Sequence, residues 1–274
     1  MSAEILNRLT PAWASWRPSG GTTTGCWWGL PGGSQAASPP WPNCSRSAWR
    51  GRGRHPGHGH DPARRGRLHH IALDDEITEA GGIAVANTDS VATPEGGEAI
   101  VQTALDEFGR VDIVVNNAGI LRDKSFAKMT PDMWRDVLDV HLQGAFNVTH
   151  PAFKVMRRQG YGRIIMTTSA AGLFGNFGQT NYGTAKMALV GFMNSLKLEG
   201  TKYDIKVNTI APIAASRLTE DVMPPDLFQK SKPEFVAPGV MYLCSAQCEQ
   251  TGGIFNTGMC YFNRAAILTG PDAQ

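Results

Sequence analysis

A chain of 274 residues with 42% hydrophobic content is long enough to enclose one sizeable α/β core, and its formal charge of +2 points to no nucleic-acid or membrane partner. Five cysteines (Cys26, Cys44, Cys244, Cys248 and Cys260), without Cys-x-x-Cys spacing, argue against a disulfide framework or a zinc site. No signal peptide and no apolar run of about eighteen residues occur, so the expected compartment is cytoplasmic. The C-terminus, 271–274, also lacks a Ser-Lys-Leu peroxisomal address.

These averages conceal a break near residue 70. Six of the seven tryptophans (Trp13, Trp16, Trp27, Trp28, Trp41 and Trp49) and five of the seven histidines precede it, while no lysine appears before Lys124. Prolines at 31, 39, 40, 42, 56 and 62 interrupt any helix or central strand. Residues 1–71 therefore read as an irregular Arg/Pro/Trp-rich segment. An arginine-rich arm for nucleic acid would interleave aromatics and cations regularly, and this stretch does not. A metal site at His55, His58 and His60 would need a second ligand cluster, which is missing.

From residue 72 the pattern becomes that of alternating strands and helices. Residues 83–86 read as a short strand ending near Asp89, and a helix is predicted from about Pro94 to Phe108, with Asp89 a candidate cap or turn residue. The β-branched run 111–115 reads as a buried parallel strand leading into Asn116, Asn117, Ala118 and Gly119. Thr130 and Pro131 supply a hydroxyl cap and a proline at the first helical position, starting a helix that carries His141 and ends at Gly160. A strand over 163–168 delivers Ser169 to its C-terminal edge, and a Gly-rich loop, 172–178, leads into a helix reaching about residue 202. Another strand over 205–210 stops at Pro212, a helix is predicted near 233–244, and 253–256 reads as the last strand.

Tyr182 and Lys186 are four residues apart in the predicted helix, so they share a face. An ammonium beside a phenol favours phenolate and brings acid–base work closer to neutral pH. Ser169 can offer its hydroxyl to the same reacting oxygen. A strand running into Asn-Asn-Ala-Gly, a serine thirteen positions before Tyr-x-x-x-Lys, and Val-Asn-x-Ile-Ala-Pro at 207–212 together resemble the short-chain dehydrogenase/reductase family. Within it, the stretches around Asp89, 119–123, 140–144, 175–179 and 211–219 resemble the (3R)-hydroxyacyl-CoA dehydrogenase domain of peroxisomal multifunctional enzyme type 2 and its free-standing bacterial relatives. The likeness covers roughly residues 72–262, with 263–274 left as a tail.

The resemblance implies a Rossmann-like, doubly wound parallel sheet and an NAD- or NADP-dependent oxidoreductase that interconverts a secondary alcohol and a ketone. The implied substrate is a (3R)-3-hydroxyacyl-CoA; a 3-oxoacyl carrier protein or another ketone reduced with NADPH is the other candidate of that class. Ser169, Tyr182 and Lys186 are the implied catalytic residues. His141 stands where most of the family has an asparagine that holds a relay water, so it is either a fourth member or a hydrogen-bonded core histidine. The implied cofactor contacts are Asp89 with the adenine, Asn117, Ala118 and Gly119 with ribose, Tyr182 and Lys186, Pro212 and Ile213 with the carboxamide, and Thr219. Residues 214–233 correspond to a substrate lid, and a homodimer or homotetramer is expected.

One departure is large. The family's first strand, Thr-Gly-x-x-x-Gly-x-Gly turn, helix and second strand belong in residues 1–71, where the nearest match, 24–31, carries Trp27 and Trp28 in the turn and Pro31 in place of the last glycine. Tryptophan's codon read one nucleotide later gives glycine, which suggests that the segment is a shifted reading frame. A chain so altered would be a cofactor-binding-deficient remnant, the alternative to an active dehydrogenase.

Overall fold

A computed structural model describes residues 77, 81–214, 231–259 and 261–270. The expectations for residues 1–71, Thr219, Cys260 and the lid between 215 and 230 lie outside these residues. Helix α1 spans Pro94–Phe108; Thr93 caps it by accepting from the Gly96 N–H at 3.1 Å, and Gly109 (φ 71°) closes it in the left-handed conformation. Asp89 is therefore not the cap. Residues 81–90 make no strand ladder, in contrast to the strand expected at 83–86, and Ile83 is 65% exposed. An extended run becomes a strand only where a neighbour completes its hydrogen bonds, and no described strand lies beside this one.

Strand β1 (Ile113–Asn116) leads through a loop with one 3-10 turn at Phe126–Lys128 to α2 (Pro131–Leu138), which Thr130 caps by accepting from the Met133 N–H at 3.3 Å. A π-helical turn, Asp139–Gln143, joins α2 to α3 (Gly144–Gln159), and Gly160 (φ 69°) ends the run as expected. β2 (Gly162–Thr167) is buried throughout, and the short α4 (Ala170–Phe174) occupies part of the stretch read as loop. α5 (Thr180–Gly200) carries Tyr182 and Lys186, and β3 (Ile205–Pro212) follows. A 3-10 turn at Pro233–Phe235 and α6 (Ala237–Cys244) lead to β4 (Ile254–Gly258). β5 (Tyr261–Ala265), which no sequence pattern announced, extends the sheet three residues past the expected boundary at 262.

The sheet order is β1-β2-β3-β4-β5, parallel except for the last hairpin. Alternation along β2 sends Ile164 and Met166 to one face and Ile165 to the other. The first face meets α1, α3 and α5 in a core that includes Val101, Phe153, Met156, Leu189 and Met193. The second meets α6 through Val240, Leu243 and Cys244, with Cys248 beyond the helix end. Both cysteines are free thiols packed as small hydrophobes. At the N-terminal end of β2 the buried Arg163 donates to the carbonyls of Gly162, Asp204 and Ser245 and lies 4.3 Å from the Tyr161 ring centroid. Every described parallel strand is added on the same side of its predecessor, so the described sheet is one wing of the doubly wound plan, without the reversal at which dinucleotides sit.

Candidate active site

The C-terminal ends of β1 and β2 and the first turns of α5 converge on one small volume. Ser169 follows β2 directly and caps α4, accepting from the Ala171 N–H at 3.2 Å. The Ser169 hydroxyl also acts on the Tyr182 phenol, drawing its proton affinity down. One helical turn on, Lys186 is fully buried; its Nζ donates to the Thr167 carbonyl at 2.6 Å and stands 5.5 Å from the Tyr182 ring centroid. Gly172 lets α4 lie this close to α5, because a Cβ there would come within 2.8 Å of Lys186 Cβ. The structure thus brings Ser169, Tyr182 and Lys186 together as the spacing predicted.

His141 joins them from the π-helical turn. Its ring lies edge-on to Tyr182 at 5.2 Å, and Nε2 sits 3.1 Å from the Ile120 N–H and 2.8 Å from the Ile120 carbonyl, so its tautomer selects which bond is made. Nδ1 is buried without a partner. A Cβ on Gly119 would fall 2.4 Å from His141 Cε1, so only glycine fits beneath the ring.

Burial dominates the proton affinities. It pushes the Lys186 amine down to about 7 and, with the Lys186 charge, holds His141 at about 3. The Tyr182 phenol lies above its ordinary value because of burial; the Ser169 hydrogen bond works the other way, and the Asp123 charge reinforces the rise. This corrects the expectation that Lys186 brings the phenol down. A lysine whose own charge is half lost near neutral pH and whose Nζ faces a backbone carbonyl stabilises phenolate weakly.

The remaining expected cofactor residues divide. Asn117 and Ala118 line a pocket of about 130 Å³ together with His141, Val91, Gly144 and Leu189. Asn116 ties β1 to its neighbours, donating to Thr149 Oγ1 at 2.8 Å and to Met166 Sδ at 3.2 Å. Asp89 is exposed and closed into an Asx-turn, its N–H donating to Asn87 Oδ1 at 2.8 Å. Pro212 ends β3, and the Ile213 N–H donates to the Thr257 carbonyl at 2.7 Å, which leaves the Ile213 carbonyl as the backbone group to meet a carboxamide. Among the described residues no group of three His, Cys, Asp or Glu could hold a metal, and no helix is long and apolar enough to cross a membrane.

The described residues show neither a Gly-rich turn at a helix N-terminus nor a strand reversal for the pyrophosphate. Sequence reasoning assigned no role to Asn208 or Asn181. Asn208 donates to the Gln250 carbonyl at 2.7 Å and accepts from the Gly253 N–H at 3.0 Å, locking β3 to the turn before β4. Its place beside β-branched residues in a mostly buried strand was the available signal.

A serine, a tyrosine and a lysine meeting at the carboxyl edge of a Rossmann-like parallel sheet define the class, an α/β oxidoreductase. The family model described as short chain dehydrogenase matches residues 65–223, and the chain belongs to the short-chain dehydrogenase/reductase family. Peroxisomal multifunctional enzyme A of Dictyostelium discoideum is 55% identical over 193 residues, 70% of this chain and 43% of that protein. Peroxisomal multifunctional enzyme type 2 of Mus musculus is 55% identical over 183 residues, 67% of this chain and 24% of the mouse protein. The match therefore spans less than half of these multifunctional relatives. Among solved structures, a short chain dehydrogenase from Mycobacterium avium superposes with a TM-score of 0.67 at 36% identity, covering 74% of this chain and 72% of that one.

Proposed function

We propose that the chain interconverts a secondary alcohol and a ketone, with a (3R)-3-hydroxyacyl-CoA as the substrate class and NAD or NADP as the hydride carrier. The observation that carries this reading is the convergence of the Ser169 hydroxyl, the Tyr182 phenol and the Lys186 amine at the end of β2. Similarity to proteins named as peroxisomal multifunctional enzymes supports the acyl-CoA class, and a 37% identical 3-oxoacyl-[acyl-carrier-protein] reductase from Synechocystis marks the carrier-protein alternative. The nicotinamide, when bound, supplies or accepts the hydride. Ser169 holds the substrate oxygen, and Tyr182 exchanges a proton with that oxygen. The phenol, which burial holds above its ordinary value, is the proton donor to a carbonyl oxygen in the reductive sense and takes the proton back in the oxidative one. Exposed apolar residues on α3 and α5, Phe146, Met187 and Leu198, support assembly into a homodimer or homotetramer.

Tyr182→Phe removes the transferable proton and should lower turnover at least ~100-fold, the usual size of an acid–base contribution. Turnover near that of the unmodified chain would reject the assignment. A second reading, a remnant unable to hold a dinucleotide, rests on residues 24–31, where Trp27, Trp28 and Pro31 stand in place of the family's Gly-rich turn. Titration of the full chain with NAD and NADP, followed by fluorescence, separates the two. Saturable binding supports the enzyme, and no binding at millimolar cofactor supports the remnant.

A further inference from the structure

We infer that Asn181 is the positioning residue that fixes Tyr182 against the lip of the site, binding residues 122–124, the start of α2 and the first turn of α5 into one unit. The inference rests on the assignment of Tyr182 as the proton-exchanging group. Asn181 is fully buried, and its side-chain amide reaches three segments. Oδ1 accepts from the Tyr182 N–H at 2.8 Å, while Nδ2 donates to the Arg122 carbonyl at 3.1 Å and to the Met133 carbonyl at 3.0 Å.

The Tyr182 N–H lies in the first turn of α5, where helix donors have no partner within the helix. A side-chain cap normally comes from the residue before the helix, here Gln179, which makes no such bond. The Gln179 side chain is turned away: its Nε2 donates to Asp123 Oδ2 at 2.7 Å, and its Oε1 accepts from Asn176 Nδ2 at 2.9 Å. Asn181 meets the first-turn demand from inside the helix. The Lys124 N–H donates to the Gly178 carbonyl at 2.8 Å and fastens the same two segments again.

The consequence falls on the phenol. Asp123, whose charge acts on Tyr182, is held in place by Gln179. Loss of the Asn181 amide would take the side-chain partner from the Tyr182 N–H and from the Arg122 and Met133 carbonyls, and water would replace it at the part-buried lip. The Tyr182 ring would then shift, and a displacement on the order of 1 Å of a reacting group costs up to ~100-fold in rate.

The test combines turnover with titration of the Tyr182 phenol in full-length chain labelled at tyrosine Cζ, the resonance being assigned with Tyr182→Phe. Asn181→Ala is expected to bring the phenol pKa down toward its ordinary value and to lower kcat at least ~10-fold, with KM changed less than about threefold. An unmoved titration overturns the inference even if kcat falls, because a merely structural loss elsewhere would do that. Should Asn181→Ala fail to fold, Asn181→Ser, small and polar enough to admit a bridging water, is read by the same two measurements. A chain without turnover before any substitution would sink the functional reading alone, and the titration would still decide this one.

Discussion

Replacing Lys186 by methionine removes a charge that the fold buries completely while keeping the length of the side chain. The amine falls from 10.5 in the unfolded chain to about 7 in the folded one. Between these values the unfolded chain holds a proton that the folded chain has released, so stability rises with pH. Below about 7 both states are protonated, and the slope vanishes. One pKa unit corresponds to about 1.4 kcal/mol, and the slope reaches only half of that at the folded pKa, so raising the pH from about 7 to about 9 should stabilise the parent chain by about 2 kcal/mol through this residue alone. Lys186→Met should lack that gain. It also strips the Thr167 carbonyl of its donor, a pH-independent loss of about 1–3 kcal/mol. Urea unfolding of both chains across this range gives the difference curve, from which groups common to both cancel. Parallel curves between about pH 7 and 9 would refute the claim that a buried, desolvated amine sits at the site.

Other residues offer further checks. His141, held at about 3 against an ordinary 6.5, contributes stability that is present above 6.5 and lost as the pH falls toward 3. His141→Asn should therefore flatten acid unfolding in that window by up to ~1.4 kcal/mol per pH unit, as read by denaturant titration. Gly119→Ala drives a methyl into the His141 ring and should cost about 1–3 kcal/mol, lowering Tm by roughly 2–4 °C for each kcal/mol in calorimetry. Arg163→Met, far from the site, leaves the Gly162 and Ser245 carbonyls without their guanidinium donor, the Asp204 carbonyl keeping the Gly162 N–H, and should cost on the order of 1–3 kcal/mol in chemical denaturation with m unchanged.

The elements whose signals are local were legible in the chain itself. Thr130 with Pro131 marks a helix start because a hydroxyl and a residue lacking an N–H suit the same four unsatisfied positions, whereas at α1 the sequence pointed to Asp89 and the cap is Thr93. Gly160 marks a helix end because glycine takes the left-handed conformation cheaply, and Gly109 closes α1 in the same way. The i, i+4 spacing of Tyr182 and Lys186 fixed their shared face before any packing was known. Residues 83–86 carry a strand pattern as good as that of 113–116, yet among the described residues only the latter has a strand beside it to complete its ladder. The sign of the Tyr182 shift depended on how much water reaches the phenol and on where Lys186 Nζ points. The Ile213 N–H was spoken for by β4, and Asn181 drew its role from carbonyls 48 and 59 residues away. Spacing along the chain sets which groups can meet; desolvation and long-range hydrogen bonds, which exist only once the chain is packed, set what those groups do.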